Sequence, residues 1–324
     1  RIDRTGELVS VKRQGSGKEY LAGAGNRFRL YKDVNTCYDA WELGSMYEHL
    51  PVALDGAVTV EITQEEEGAA LSVTRMIGRS PVEQKILLGH DAKRLDFITE
   101  IDWQERHKLL KVAFPVNVYA GEAIEEVQFG FVKRPTHRSR QSDRDRYEVS
   151  NHRYTALCDG GCGAAVLNDC KYGVSVRDNE IALTLLKAPL MPDMYADQGK
   201  QEFTYSFCPF EGAFADSDVL HEATLLNENV ILGGADELGA IFLSDKKNIV
   251  VETIKPADTV ENALLVRAYE SMGMGTETCF TVSNRVRGVR ETDMLEENGT
   301  ERTLEGGVKA TFGAFEIKTF LLYL

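Results

Sequence analysis

The sequence predicts an all-β chain built as two antiparallel β-sandwiches, a large one over residues 1–215 and a smaller one over residues 216–324. Three observations carry that prediction. Apolar residues fall in short runs bounded by Asp, Asn, Gly and Pro; several runs alternate with the period of a pleated strand; and runs at helical spacing are scarce. A chain of 324 residues also exceeds the usual size of one core, so one large and one small domain is the natural division.

Taken in order, the chain opens on the strand LVSV from Leu8, a turn at Gly15–Gly17, and the strand FRLY between Asn26 and Asp33. VTVEIT follows, with Val58, Val60 and Ile62 on one face; an acidic loop joins it to LSVTRMI as a hairpin with one wet face. Strand patterns continue at Gln84–Leu88, Arg94–Trp103, Leu109–Val116 and Val127–Arg134, then at Gly163–Leu167, Ile181–Leu186 and Phe203–Phe207. Residues Asp216–Asn229 are the best candidate for a short helix, with Asp216 or Ser217 as cap and Val219, Leu220, Ala223 and Leu226 sharing a face; the stretch reads equally as an extended linker. The domain boundary is expected within residues 213–235. Beyond it IFLS, IVVETI, ALLVRAYE, ETCFTVSN, GVKATF and FEIKTFLLYL read as the strands of the second sandwich.

The net charge of -14 argues against nucleic acid, whose phosphates require clustered Lys and Arg. The one basic run, KRPTHRSRQSDRDR, is interleaved with Asp and reads as a solvated loop. No run approaches the roughly 18 consecutive apolar residues that span a bilayer, so no membrane partner is expected. The six Cys form no CxxC pair and read as reduced packing residues, with a cytoplasmic setting expected; Cys158, Cys162 and Cys170 match no common zinc signature. Because the first residue is Arg1, the chain is expected to begin inside a longer protein.

Between Tyr147 and Gly212 four pieces stand in close order: EVSNHRYTALCD, GCGAAVLNDCKYGVSV, LTLLKAPLMPDMYADQG and QEFTYSFCPFEG. Together with CYDAWELGSMYE, RLDFITEIDWQERHKLLKVAFPV and VQFGFVKRPT upstream and AFEIKTFLLYL downstream, this order resembles the C-terminal β-region of family-38 glycoside hydrolases, the zinc-dependent retaining α-mannosidases. The resemblance implies that the large sandwich is a supersandwich of mutarotase-like kind. It also implies that the nucleophilic Asp and the zinc ligands lie in an N-terminal α/β domain of the same polypeptide, where a His-x-Asp pair begins the metal site. No His-x-Asp occurs here, so no catalytic residue, metal ligand or cofactor is expected in this chain, and zinc is expected in that other domain.

Asp102 and Glu105 beside Trp103 tempt as a carboxylate pair, but three positions apart on a strand they lie on opposite faces. The implied function is an accessory β-region whose partners are that catalytic domain and, through the parent, α-mannoside glycans; homo-oligomerisation is left open. Two alternatives stand beside it. A free-standing carbohydrate-binding sandwich calls for a row of exposed aromatic rings, and only Trp41 and Trp103 are Trp. A mutarotase-like enzyme calls for a His and a Glu in an open cleft, with His152 as one candidate. The polar loop Pro189–Gly199 is expected to face the catalytic domain, with Asp193, Tyr195 and Asp197 at the rim of its cleft and Arg134 as a cationic partner. Asp197 can equally close a turn through its side chain.

Overall fold

A computed structural model of the chain describes residues 1–13, 15, 17–35, 37–228 and 241–324. Ser16 of the turn expected at Gly15–Gly17, the end of the helix at Asn229 and residues 229–235 of the boundary expected within 213–235 lie outside those residues. Two compact units are present, one of Arg1–Glu126 and Val132–Asn229, the other of Val127–Phe131 and Val230–Leu324.

The first unit holds two antiparallel sheets. A six-stranded sheet runs in the order Val149–Ser150, Gly173–Arg177, Glu180–Leu186, Lys108–Pro115, Arg27–Lys32, Pro51–Val52. A nine-stranded sheet runs Val58–Glu65, Gly68–Ile77, Ser80–Gly89, Leu95–Trp103, Gly199–Glu211, Cys162–Asn168, Tyr154–Cys158, Glu122–Val127, Gly130–Pro135. The strand Gly199–Glu211 sits in the middle, paired with Leu95–Trp103 on one side and Cys162–Asn168 on the other.

Alternation decides what lies between the sheets. Leu110, Val112 and Phe114 of one sheet and Phe97, Ile101, Trp103 and Phe207 of the other share one core. Their rings touch across it, Phe97 to Phe114 at 5.7 Å and Phe114 to Phe207 at 5.4 Å between centroids. Burying such side chains stabilises the unit by about 1.5–3 kcal/mol each. At the hairpin expected to keep Val58, Val60 and Ile62 on one buried face, Val58 and Val60 pack on the core but Ile62 is 85% exposed. Val58–Glu65 is the edge strand of its sheet, paired on one side only.

Inside the core lies a closed polar ring. Asn26 donates to Gln84 Oε1 at 2.8 Å, Gln84 donates to Tyr205 Oη and Thr99 Oγ1 at 2.9 Å, and Tyr205 donates to Asn26 Oδ1 at 2.6 Å. Every member is buried, so each polar atom needs its partner. On the opposite face of Lys108–Pro115, Lys111 is also buried, with Nζ 2.7 Å from Glu148 Oε1 and 2.9 Å from Thr184 Oγ1, beneath the ring of Tyr47. Burial pushes the Lys111 amine below its ordinary pKa, against the pull of Glu148.

The helix spans Val219–Asn227 and packs on Cys162–Asn168, Tyr154–Cys158 and Gly199–Glu211. Although the residue 215/216 division places it in the second domain, its contacts are with the first unit: Arg94 donates to Glu222 and Asn227 donates to the carbonyl of Asn168. Its expected cap shifts as well. Asp218 holds the cap position without a side-chain cap bond, while Ser217 Oγ accepts from the Val219 N–H at 3.4 Å.

The second unit contains a three-stranded sheet, Phe242–Ser244, Thr276–Val282 and Val308–Phe312, and a five-stranded sheet in the order Ile249–Pro256, Ala263–Glu270, Ile317–Tyr323, Gly288–Thr292, Gly299–Arg302. Phe242, Phe280, Phe312 and Phe320 fill its core, with Phe242 and Phe280 stacked at 4.2 Å. The buried carboxylate of Glu270 gathers the N–H groups of Met272, Gly273, Met274 and Phe315. Gly273 turns there at φ +72°, where a side chain would meet the Phe315 ring.

Candidate functional site

Three loops of the first unit leave the same end of the six-stranded sheet. Residues 33–44 follow the strand Arg27–Lys32, residues 104–107 precede Lys108–Pro115, and residues 187–198 follow Glu180–Leu186; the pairing of Lys32 with Lys108 and of Leu186 with Leu110 brings them together. Backbone bonds lace them: Asp33 N–H to His107 O at 2.9 Å, His107 N–H to Ala188 O at 3.2 Å, Ala40 N–H to Met191 O at 3.1 Å. Gln198 adds a side-chain bond to the carbonyl of Glu105 at 2.7 Å.

Three carboxylates hold the loops from within. Asp39, 4% exposed, accepts the N–H groups of Leu190 at 2.9 Å and Met191 at 2.8 Å and lies 3.4 Å from His107 Nδ1. Burial alone would raise its pKa, but the two N–H groups with the charges of His107 and Lys187 hold it below the ordinary range. Asp33, 1% exposed, pairs with Lys187 at 3.3 Å and accepts from Asn35; for it burial prevails and the pKa is raised. Asp197 accepts from the N–H groups of Lys187 and Ala188 at 3.2 and 3.1 Å. Lys187 in turn donates through Nζ to the carbonyl of Glu42.

Among the described residues of these loops, four non-glycine residues take left-handed backbone: Tyr38, His107, Ala188 and Asp197, with φ between 50° and 60°. Such conformations cost about 1–3 kcal/mol each and persist only where the surroundings over-determine them. What they present outward is aromatic. Tyr38 and Trp41 stack at 5.2 Å with 25° between planes, Trp41 being 71% exposed and Tyr195 68%. Arg106 lies over the Tyr195 ring at 5.7 Å, and Met191 and Met194 are about half exposed beside it.

The residues expected at a rim divide. Tyr195 is exposed at this end, and Asp193 is exposed while its Oδ1 accepts the Tyr195 N–H at 2.9 Å. The carboxylate of Asp197 turns inward onto the loop base, the turn-closing role. Arg134 does not join them: it pairs with the buried carboxylate of Glu125 and donates to Ser150 O at 3.2 Å, which corrects its expected partnership with the loop. Trp103 is fully buried and Asp102 accepts from Gln104, while Glu105 accepts the Arg79 N–H. His152 lies 3.8 Å from Glu126, but that buried Glu is held by the guanidinium and N–H of Arg153, so no free acid–base pair results.

Sequence reasoning missed Tyr38, Trp41, Asp39, Asp33, His107 and Lys187. The available signal was a Tyr and a Trp in a polar stretch without alternation, CYDAWELG. Among the described residues no three or more His, Cys, Asp or Glu side chains group to hold a metal ion.

Residues 1–195 match the model of the Glycosyl hydrolases family 38 C-terminal domain. The chain belongs to family 38 of the glycosyl hydrolases. Residues 248–320 of this family-38 chain match in addition the family's C-terminal beta sandwich domain. It is 36% identical over 341 residues to Alpha-mannosidase 2C1 of Mus musculus, covering 100% of the chain and 33% of that protein. It is 33% identical to Alpha-mannosidase G of Dictyostelium discoideum, covering 98% of the chain and 31% of that protein. The chain thus spans about a third of the length of the curated relatives it matches. An alpha-mannosidase from Enterococcus faecalis V583 shares the fold of this family-38 chain with a TM-score of 0.78 over 100% of it and 41% of the other, at 14% identity.

Proposed function

We propose that this chain is the C-terminal, non-catalytic β-region of an α-mannosidase. The whole polypeptide hydrolyses terminal α-mannosides of glycans or oligosaccharides, with retention and with zinc, in an N-terminal domain outside this chain, and the loop end around Pro189–Gly199 stands at the rim of that site. The observation that carries the reading is the match over the full chain, at 36% identity, to an alpha-mannosidase of which the chain is only 33%. The site supports the division of labour. Retaining hydrolysis needs two free carboxyl groups about 5–5.5 Å apart, whereas Asp33, Asp39 and Asp197 are each engaged with a lysine or with backbone N–H groups. Six unpaired cysteines accord with a reducing, cytoplasmic setting.

The test is a pair of assays on an aryl α-mannoside. The full-length protein is expected to turn it over and to carry stoichiometric zinc, while this chain alone does neither. Turnover by this chain above background, or a full-length protein inert on α-mannosides, overturns the reading.

A further inference from the structure

We propose that Cys162 and Lys18 form an oxidative modification site, in which a hydroperoxide converts Cys162 to its sulfenic acid and the Lys18 amine captures it as a sulfenamide cross-link. Neither residue has a part in the α-mannosidase reading.

Cys162 opens the strand Cys162–Asn168 and is 1% exposed, with its side chain in the core. The sulfur nevertheless sits at the end of that core, because the preceding turn, Asp159–Gly161, and the cross-strand neighbour Glu211 are exposed. Asp159 Oδ1 fixes it there, accepting the N–H groups of Gly161 and Cys162 at 3.0 Å each and lying 3.5 Å from Sγ. From the N-terminal segment, 144 residues earlier, the Lys18 ammonium donates directly to the same sulfur. A thiol sulfur is a weak acceptor, and an uncommon partner for an ammonium.

No second thiol competes for an oxidised Cys162. Cys158 and Cys208 lie on the two flanking strands, but alternation turns them to the other face of the sheet, since Leu157 and Phe207 are the residues that share the core with Cys162. A sulfenic acid without a thiol in reach condenses with a nearby nitrogen. Beside the pair, Tyr20 is fully buried and its hydroxyl has no hydrogen-bond partner among the described residues. The ionisable groups around that hydroxyl include Glu211, Cys162, Arg13 and Lys18. Leaving it unpaired is unfavourable, and an oxygen added to the Cys162 sulfur supplies the acceptor it lacks.

The chemistry balances with the hydroperoxide as oxidant. The Cys162 sulfur attacks the O–O bond and is oxidised to the sulfenic acid, while the peroxide is reduced to water or an alcohol. The Lys18 nitrogen then attacks the sulfur: an S–N bond forms and the S–O bond breaks. The departing hydroxide leaves as water with one ammonium proton, and a second proton goes to solvent. Two molecules of a small thiol reverse the link, returning the thiol and the amine and leaving one disulfide. Burial holds the Cys162 thiol above its ordinary pKa despite the pull of Lys18, so little thiolate is present at neutral pH and the site answers sustained exposure to peroxide. The link ties the nine-stranded sheet to the N-terminal segment, which itself bridges from Leu21 to Val116 beyond the strand Lys108–Pro115 of the other sheet. Oxidation thereby closes one end of the sandwich covalently.

The test is peptide mapping of the full-length protein after hydrogen peroxide, with the remaining thiols alkylated in denaturant before digestion. The expected product is the Cys162 peptide joined to the Lys18 peptide at the sum of their masses less two hydrogens, absent before oxidation and released by dithiothreitol. Lys18→Arg keeps the charge and should lose the link, leaving Cys162 as a sulfenic acid that dimedone labels more strongly than in the wild type. Absence of the joined pair once the exposed Cys37 is fully oxidised overturns the proposal. So does a disulfide from Cys162 to another cysteine, or a loss of two hydrogens confined to the Cys162 peptide, which marks capture by a backbone nitrogen. A joined pair carrying an additional oxygen also overturns it, because the bond is then not S–N, as does a link that survives Lys18→Arg.

Discussion

Asp39 Oδ1 accepts the backbone N–H of Met191 at 2.8 Å, across 152 residues of sequence. With the parallel bond to Leu190, this one side chain joins the loop bearing the stacked rings to the loop bearing Tyr195. Asp39→Ala leaves two N–H groups without their acceptor, at about 1–3 kcal/mol for each that stays buried. In a unit of this size each kcal/mol lowers the melting temperature by roughly 2–4 °C. The expected result is a lower melting temperature together with faster depolarisation of Trp41 emission; unchanged depolarisation would mean that the rings are held by something else.

The same carboxylate gives a pH dependence of known sign. Its folded pKa lies below the ordinary value of about 3.9, so the stability it contributes is complete above that value and is lost as pH falls through the folded pKa. Asp33 beside it titrates in the opposite sense, because its folded pKa is raised. Because the Asp39 charge is one of the causes that raise Asp33, the comparison is made in an Asp33→Asn background, with and without Asp39→Asn. The stability gap between the two proteins should narrow as pH falls below about 4, and a gap that widens in acid would contradict the assignment.

Tyr205→Phe keeps the ring stack of the core and removes only the hydroxyl that closes the buried polar ring. Asn26 Oδ1 loses its donor and Gln84 Nε2 one of its two acceptors, at about 1–3 kcal/mol for an orphaned group. Urea unfolding should show a lower midpoint with an unchanged slope.

Lys111→Met leaves the Glu148 carboxylate with Tyr47 and Thr184 but without its cation. Breaking such a buried pair costs about 3–5 kcal/mol. Lys111→Met with Glu148→Gln should be less destabilised than the two single changes added together, by about 1–3 kcal/mol of coupling. Strict additivity in a double-mutant cycle would show that the pair does not interact.

Cys37 and Cys170 are both exposed, yet they should not react alike. Protein packed around the Cys170 sulfur, followed by Asp169, pushes its thiol up to about 12. At pH 8 its thiolate fraction is then roughly a thousandfold below that of an ordinary thiol of pKa about 8.5. Peptide mapping after brief iodoacetamide treatment should find Cys37 labelled and Cys170 free; equal labelling would refute the shift.

The strands were legible because alternation and turn residues are local, and Leu110, Val112 and Phe114 read as one face from sequence alone. What each face meets is not local. Ile62 continues its alternation on an edge strand and stays exposed, and Lys111 looks solvated until the Tyr47 turn and Glu148 close over it. The site was illegible for the same reason. Trp41 and Trp103 sit in similar company in the sequence, and only the assembled sheets bury one and leave the other out. Loop Pro189–Gly199 drew notice for its polarity, but its inward Asp197 and the rings of a loop some 150 residues earlier are settled by strand pairing.

The central place of Gly199–Glu211 has a consequence for how the molecule is made. As the chain leaves the ribosome, Leu95–Trp103 emerges with one flank already paired to Ser80–Gly89 and the other bare, since its partner is translated about a hundred residues later. Cys162–Asn168 likewise waits for the same late strand. An open edge of that length is adhesive. A nascent chain that stalls before Tyr205 therefore displays two unpaired edges, one on Leu95–Trp103 and one on Cys162–Asn168, and is most open to pairing with other chains in that interval.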